Sequence, residues 1–444
     1  MKHPLPTQGR TGGTPASPGA LASVKEKDMG IGPEAPASLD LDGLLVGLPP
    51  AGAWTCLVEI DDVAFGLRCD GSATTVVPVT GINDSWDFEF AVGAADWSAF
   101  CSVPRPRGYT TAQAMVATSG ARPVRGDRAV WARAAVVVDR VLDALRDAST
   151  TTSAAVRNPE PPESPLGLSP IVGRYLTVEV DGTRQRLYHE SAGTGPALLC
   201  LHTAGADSRQ FRYLLEDPEL TARWTVIAFD MPWHGRSEPP TGWQEETYRL
   251  TTDTYAATVL AVVDALELER PVLAGCSMGG AIALYLASTH GDRFTGVCAL
   301  EGGLGNPSRF VEWTNRGDVD HSRFLTSWVG GLIAPASPAG PAAQTLWGYA
   351  QSGPGVYQGD TYFYSQDLPR HTEALQPAGC PLYVFSGEYD YSATTEMSRE
   401  AATRLGGHLV EMPGKGHFPM SEDPVGFAGH LYPVLDLLHD KYER

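Results

Sequence analysis

From Ile171 to the end of the chain, short apolar runs alternate with segments whose apolar residues recur at helical spacing. The short runs include "PALLCLH", "WTVIAFD", "PVLAGC" and "TGVCALEG", and "PLYVFSG" follows much later. Strands that alternate with helices are typical of a mostly parallel sheet covered on both faces. "RYLTVEV" and "QRLYHES", on either side of Asp181-Gly182, predict a hairpin at the start of this sheet. We therefore predict an α/β fold for residues 171–444.

The chain before Ile171 divides into three parts by composition. With 444 residues, the chain is long for a single domain. Residues 1–36 are rich in Pro, Gly, Ala and Ser, which predicts a disordered leader, and residues 149–170 carry five prolines, which is typical of a linker. Between them, residues 37–148 begin with β-rich segments and end in a run with helical spacing, "RAVWARAAVVVDRVLDALRDA". We predict a small α+β domain there.

The small domain carries no Ser/His/acid grouping and no metal-ligand spacing. The order of its strands and helices, with "VRGDRAVWAR" before the last helix, resembles the sterol-carrier type of lipid-binding domain. The resemblance implies ligand binding, whereas the absence of a catalytic motif favours a structural or dimerising appendage. We expect the appendage, through which the chain would form a homo-oligomer, and keep ligand binding as the alternative.

Charge and hydropathy exclude several classes of partner. Acidic residues outnumber basic ones by 52 to 33, and a net charge of −19 repels nucleic acid and anionic membranes. The N-terminus lacks the apolar segment of a signal peptide, and no window approaches the roughly 18 apolar residues of a membrane span. The seven cysteines form no metal-ligand spacing, and several lie in apolar runs. We expect a soluble cytoplasmic protein with buried thiols.

The segment "GCSMGG" lies where the run "PVLA" gives way to a helical run. Residues 275–279 fit the pattern G-x-S-x-G at a strand-to-helix turn, and flanking glycines permit the tight turn that presents a nucleophilic serine. A serine hydroxyl needs a base, and the base needs an orienting group. Asp390 follows the strand "PLYVFSG", and His417 follows the next predicted strand. The order Ser277, Asp390, His417 is the one found in serine hydrolases of this architecture.

Residues of about 171–444 resemble the α/β-hydrolase superfamily on these motifs and on two further stretches, "FDMPWHGRS" and "SMGGAIALYLA". The resemblance implies that Ser277 is the nucleophile, Asp390 the acid and His417 the base. Two other carboxylates stay open as the acid: Glu388 stands two residues before Asp390, and Glu301 follows the strand "GVCAL".

The resemblance also implies two backbone amides that bind the oxyanion, from Met278 and from Ala204 in the loop "LHTAGADSRQF". Thr203 stands where the family usually has glycine, and its hydroxyl would add a hydrogen bond to substrate or serve the fold alone. Trp233 replaces another common glycine and would either wall the pocket or pack against the fold. We expect His202 and His234 to order their loops.

Between Glu301 and about Arg370 the alternation of strands and helices stops, which predicts a cap of residues 302–370 over the site. This segment is rich in aromatic residues, which favour an apolar pocket but would also be needed to pack the cap onto the sheet. We single out Thr203, Trp233, Trp347 and Tyr362 as candidate substrate-binding residues.

These features predict a serine hydrolase that cleaves a small to medium, partly hydrophobic carboxylic ester or lactone through an acyl-enzyme. No metal or organic cofactor is implied, because the triad supplies both the nucleophile and the proton transfer. A carbon–carbon bond hydrolase of ring-cleavage products with the same triad is the first alternative. A non-catalytic ligand-binding protein on the same fold is the second.

Overall fold

The computed structural model describes residues 31, 34–45, 48, 52–79, 85–118, 123–150, 156–311, 314 and 316–442. Residues 1–30, the greater part of the predicted leader, lie outside the described residues, as do residues 151–155 of the predicted linker. Residues 156–170 contain no described helix or strand and run along the surface of the later part of the chain. There the backbone N–H of Asn158 donates to the Ala336 carbonyl at 2.7 Å.

The first domain, within residues 31–150, forms a five-stranded sheet of order β3-β2-β1-β4-β5. The strands are β1 (Ala53–Ile60), β2 (Val63–Asp70), β3 (Thr74–Val77), β4 (Phe88–Val92) and β5 (Val124–Gly126), and the helices are α1 (Leu41–Leu44), α2 (Ala94–Cys101), α3 (Ala112–Thr118) and α4 (Arg128–Ser149). Helix α4 starts where the Asp127 carboxylate accepts from two backbone amides of the first turn. Its apolar face packs on the sheet, with the Trp131 ring stacked on Phe90 at 5.7 Å between centroids.

The second domain, residues 171–442, forms an eight-stranded sheet of order β13-β12-β11-β10-β8-β9-β7-β6. The strands are β6 (Val172–Val180), β7 (Thr183–Ala192), β8 (Ala197–Leu201), β9 (Thr225–Phe229), β10 (Val272–Cys276), β11 (Gly296–Leu300), β12 (Leu382–Gly387) and β13 (His408–Met412). Strands β6 and β7 form the predicted antiparallel hairpin, and β7 also pairs antiparallel with β9. The remaining neighbours, in the order β9, β8, β10, β11, β12 and β13, pair in parallel. Every residue of β10 and β11 is buried, because helices cover both faces of the sheet.

Helices connect these strands on both faces, which confirms the predicted α/β-hydrolase architecture. They are α5 (Arg212–Glu216), α6 (Pro218–Thr221), α7 (Thr252–Ala265), α8 (Met278–Thr289), α9 (His321–Gly330), α10 (Ala339–Ala350), α11 (Val356–Tyr362), α12 (Thr395–Leu405), α13 (Pro419–Glu422) and α14 (Pro424–Tyr442). Helices α9, α10 and α11 lie between β11 and β12, in the segment predicted as the cap. A π-helical turn, Phe363–Asp367, continues α11.

The two domains pack on each other through α4 and the cap helix α9. Ala129 and Ala132 of α4 are buried in the same apolar cluster as residues of the second domain. The Thr110 hydroxyl donates to the Gly331 carbonyl, at the end of α9, at 2.6 Å. The first domain therefore contacts the cap directly.

The cysteines lie in the interior, as their apolar sequence context predicts: six side chains are buried, and Cys380 is half-buried. Within the described ranges, none of the helices combines the length and the apolarity needed to cross a bilayer.

Candidate active site

The candidate nucleophile occupies the turn between β10 and α8. Ser277 has φ +55° and ψ −111°, a conformation that costs a non-glycine residue about 1–3 kcal/mol. The turn is so tight that a Cβ on Gly275 would lie 2.1 Å from the Gly279 carbonyl oxygen, and one on Gly279 would lie 2.4 Å from the Leu201 carbonyl oxygen. Backbone atoms cannot yield at these distances, so both positions require glycine. The packed turn holds the serine at the carboxyl end of the sheet.

The candidate base and acid meet at the same edge of the sheet. His417 follows β13 and Asp390 follows β12, and Nδ1 of the imidazole lies 2.6 Å from Oδ2 of the carboxylate. Both side chains are buried. The other oxygen, Oδ1, accepts from the backbone amides of Ser392 at 2.6 Å and Ala393 at 3.1 Å. The carboxylate is thus fixed on one side and leaves the other for the Nδ1–H of His417, so that Nε2 is left as the basic nitrogen.

Ser277 and His417 line one small cavity under the cap. Its volume is about 10 Å³, room for about one water molecule. In the part of the chain that the structure describes, no hydrogen bond links the Ser277 hydroxyl to the His417 imidazole. Such bonds are often long in free enzymes and tighten when substrate binds. In the conformation described, the cavity is too small for an ester or a lactone.

The two alternative carboxylates are engaged elsewhere. Both oxygens of Glu301 accept from the Gly387 amide, at 2.8 and 2.9 Å. Burial, with the charge of the neighbouring Asp390 as a further cause, raises the pKa of Glu301 well above its ordinary value and so favours its protonated form. Glu388 is exposed and accepts from the Gly414 amide at 2.9 Å. The geometry favours Asp390 as the partner of the base.

The loop after β8 places the oxyanion candidates. Ala204 lines the cavity, and Met278 begins α8 beside the nucleophile. The Thr203 amide and hydroxyl both donate to the Gln210 side-chain oxygen at 3.0 Å, and the Thr203 hydroxyl also contacts the Tyr349 hydroxyl. Because its amide is already bonded, Thr203 positions Tyr349 and Gln210, while Ala204 and Met278 stay the predicted oxyanion donors.

The two loop histidines hydrogen-bond to backbone, the role that the sequence predicts. His234 contacts the Asp360 carboxylate through Nε2 and the Pro232 carbonyl through Nδ1, both at 2.8 Å. Burial lowers the pKa of His234, but the charge and hydrogen bond of Asp360, the Pro232 carbonyl and the charge of Asp230 together outweigh it, so the net pKa is raised. His202 accepts from the Met231 amide at 3.1 Å, and burial, with the nearby His234, lowers its pKa.

The structure corrects the three aromatic residues predicted for the pocket, because none of them lines the cavity of Ser277. Trp233 packs against Tyr248 at 5.2 Å between centroids and faces a separate surface groove. Trp347 is 62% exposed on α10. Tyr362 is half-buried and packs edge-on against Phe310 at 6.0 Å.

The residues that do form the cavity wall come mostly from the cap, and the prediction missed most of them. Besides Ser277, His417 and Ala204, the wall consists of Arg309, Val329, Leu332, Tyr349, Tyr357, Tyr364, Ser392 and Phe418. The helical period was the available signal, since residues two positions apart on a helix face nearly opposite sides. Tyr349, two positions after Trp347 on α10, is buried where Trp347 is exposed.

Comparison with known proteins gives the same architecture. A family model described as alpha/beta hydrolase fold matches residues 196–336. The chain is 32% identical over 149 residues to a 2-hydroxy-6-oxononadienedioate/2-hydroxy-6-oxononatrienedioate hydrolase of Burkholderia vietnamiensis, over 32% of this chain and 49% of that protein. It is 37% identical over 126 residues to a 2-hydroxymuconate semialdehyde hydrolase of a Pseudomonas species, over 28% of this chain and 41% of that protein.

Among solved structures, an esterase from Thermogutta terrifontis matches with a TM-score of 0.52 and 20% identity, over 60% of this chain and 99% of that one. At this identity the likeness concerns the fold. The chain spans about half or less of the length of the curated relatives it matches.

Proposed function

This chain belongs to the α/β-hydrolase superfamily, and we propose that it is a serine hydrolase which cleaves a carboxylic ester or lactone through an acyl-enzyme on Ser277. The observation that carries the proposal is the 2.6 Å contact between His417 Nδ1 and Asp390 Oδ2, because His417 lines the same cavity as the strained Ser277. This arrangement has the nucleophile, the base and the orienting acid that acyl transfer needs.

The proposed reaction proceeds in two steps. Nε2 of His417 takes the hydroxyl proton of Ser277 as its oxygen attacks the substrate carbonyl, and the imidazolium returns this proton to the leaving alcohol. Asp390 keeps the imidazole in the required tautomer and stabilises its charged form. The amides of Met278 and Ala204 hold the oxyanion. A water activated by His417 then hydrolyses the acyl-enzyme and frees Ser277.

The cavity wall supports a partly hydrophobic substrate. Val329, Leu332 and Phe418 supply apolar surface, whereas Tyr349 and Tyr357 supply hydroxyl groups. The cap that carries most of these residues closes the cavity, which keeps bulk water from the acyl-enzyme until the cap moves.

The names of the relatives favour a second candidate, the hydrolysis of a carbon–carbon bond in a ring-cleavage product by the same three residues. A panel of alkyl esters, aryl esters, lactones and vinylogous diketones distinguishes the two candidates by their relative kcat/KM. A protein that only binds ligands would turn over none of them.

Labelling with a fluorophosphonate tests the nucleophile. We expect the probe to modify Ser277 in the folded full-length chain, and Ser277→Ala to abolish labelling and lower ester turnover by about 10⁴-fold or more. Ser392→Ala is the matched control, because Ser392 also lines the cavity but binds Asp390 through its backbone amide. Labelling of another residue, or full turnover by Ser277→Ala, would refute the proposal.

A further inference from the structure

One cation faces the cavity of Ser277. Arg309 ends a 3₁₀ turn, Pro307–Arg309, at the start of the cap, and only 7% of its surface is exposed. Its side chain lines the same cavity as Ser277 and His417. Arg309 therefore borders the same cavity as the reacting groups, although neither of the proposed reaction steps uses it.

The partners of Arg309 are aromatic residues. Nη2 donates to the Tyr357 hydroxyl at 2.9 Å, and the guanidinium carbon lies 5.3 Å from the centre of the Trp328 ring. Across the described ranges, no Asp or Glu forms an ion pair with Arg309, and its buried Nε has no hydrogen-bond partner. Among the described residues, the charge thus has no opposite charge paired with it, and Nε of the planar fork has no acceptor.

A buried guanidinium without a counter-ion is unfavourable, because arginine does not lose its proton in proteins and the aromatic contacts replace only part of its hydration. An anion in the cavity would supply both the missing charge and the missing acceptor. A carboxylate fits best, since its two oxygens match the geometry of the guanidinium fork.

Tyr357 adds a second donor at the same place. Its hydroxyl oxygen accepts from Arg309 Nη2 at 2.9 Å and from Trp328 Nε1 at 3.0 Å. With both acceptor positions occupied, the hydroxyl hydrogen is left to donate, either to the neighbouring Tyr364 hydroxyl or to an anion in the cavity. An anion beside Arg309 would therefore meet a charged donor and a neutral donor together.

We propose that Arg309, assisted by the Tyr357 hydroxyl, binds a carboxylate of the substrate, so that the preferred substrates carry an ionised carboxyl group in addition to the bond that is cleaved. This inference rests on the proposed function and specifies its substrate class. The carboxylate stays intact throughout: it forms charge-assisted hydrogen bonds and fixes the scissile carbonyl opposite Ser277.

The test compares two series of aryl esters with the same leaving group, one made from dicarboxylic acids of five to seven carbons and one from neutral acids of the same length. The full chain is assayed, and the rate without protein is subtracted. We expect the wild type to prefer the anionic ester at one chain length by 10-fold or more in kcat/KM. Arg309→Gln should remove this preference, so that kcat/KM falls at least 10-fold more for the anionic ester than for the neutral one. Arg309→Lys should keep part of it.

Two variants control for a general loss of structure. Arg249→Gln removes an arginine that lies over the Tyr362 ring outside the cavity, and it should leave the preference unchanged. Tyr357→Phe removes the hydroxyl group but leaves Arg309 in place, and it should reduce the preference for the anionic ester. Each variant is labelled with the fluorophosphonate to show that it is folded. If Arg309→Gln fails to label, a reduced preference in Arg309→Lys and Tyr357→Phe supports the inference, and an unchanged preference in both overturns it.

Glu312 lies outside the described residues and is the acidic residue nearest to Arg309 in the sequence. Glu312→Gln should keep the wild-type preference. If it instead lowered turnover of both esters as much as Arg309→Gln does, Arg309 would serve an internal ion pair and the inference would be wrong.

The outcome separates this inference from the proposed function. Equal kcat/KM for anionic and neutral esters at every length, in a wild type that labels at Ser277, would overturn the role of Arg309 and leave the serine hydrolase intact. Failure of the wild type to label at Ser277 would overturn the proposed function, on which this inference depends.

Discussion

Replacing Asp390 by Asn should disable the base without moving it. Oδ1 of Asp390 is held by the amides of Ser392 and Ala393, which both donate hydrogen bonds. The asparagine must therefore keep its carbonyl oxygen there and turn its NH₂ group toward Nδ1 of His417. An NH₂ group only donates, so Nδ1 has to accept and the imidazole proton moves to Nε2. This tautomer cannot take the proton of Ser277.

The size of the effect follows from what is lost. The contact between Asp390 and His417 is buried at 2.6 Å and also stabilises the imidazolium that forms during attack. Loss of both the tautomer and this charge stabilisation should lower kcat by about 10⁴-fold, which corresponds to about 5 kcal/mol of activation free energy. KM should change little, because Asp390 is not in the cavity wall.

The assay is steady-state hydrolysis of a reactive aryl ester, with Glu301→Gln as the matched control. Burial raises the pKa of Glu301 and favours its neutral form, and glutamine is neutral and can keep the acceptor for the Gly387 amide, so the kcat of Glu301→Gln should fall by less than about 10-fold. A larger loss of kcat in Glu301→Gln than in Asp390→Asn would refute this reasoning, because the acid would then be Glu301, which follows β11.

Two further predictions concern stability. Burial raises the pKa of Glu422 to about 8, so the folded chain keeps a proton that the unfolded chain loses above about pH 4.5; the free energy of unfolding should fall by about 3 to 5 kcal/mol from pH 4.5 to 8 on this account. Urea unfolding of Glu422→Gln should show a fall smaller by this amount, and parallel pH profiles of the two proteins would contradict the assignment. Gly275→Ala should cost more than about 3 kcal/mol or prevent folding, because its Cβ would meet the Gly279 carbonyl oxygen at 2.1 Å. Gly348→Ala, with no atom within 4 Å of the added Cβ, should be neutral or slightly stabilising, and equal stabilities of the two variants would count against the steric argument.

The sequence predicts well what depends on local pattern. Strands such as β10 are short apolar runs that need both faces covered, and this requirement leaves few architectures. The turn at Ser277 is equally local, since glycines at 275 and 279 are the only residues that its backbone contacts allow. Asp390 and His417 could be located because each follows a recognisable strand.

The cavity wall could not be predicted in the same way. Its residues come from cap helices whose orientation depends on long-range packing, and composition does not reveal which aromatic side chains face inward. Trp347 and Tyr349 are both plausible by residue type, yet one is exposed and the other buried. The sequence does not single out Arg309. Its interest comes from its place in the cavity wall and from the lack of a paired carboxylate among the described residues, and both depend on the folded structure.

The first domain bears on the site through the cap. Asp139 of α4 accepts from the Ala112 amide at 2.5 Å and from the Ser327 hydroxyl of α9 at 3.4 Å, so one carboxylate joins the first domain to the cap helix. Where α9 ends, Gly331 receives the Thr110 hydroxyl bond, and the carbonyl of the next residue, Leu332, accepts from the His417 amide at 3.0 Å. Thus the segment that the first domain holds also holds the backbone of the base. Because α9 packs against α4 on one side and contributes Val329 to the cavity on the other, the first domain limits how far this helix can move when substrate enters. These contacts favour a structural role for the first domain, which stays a prediction.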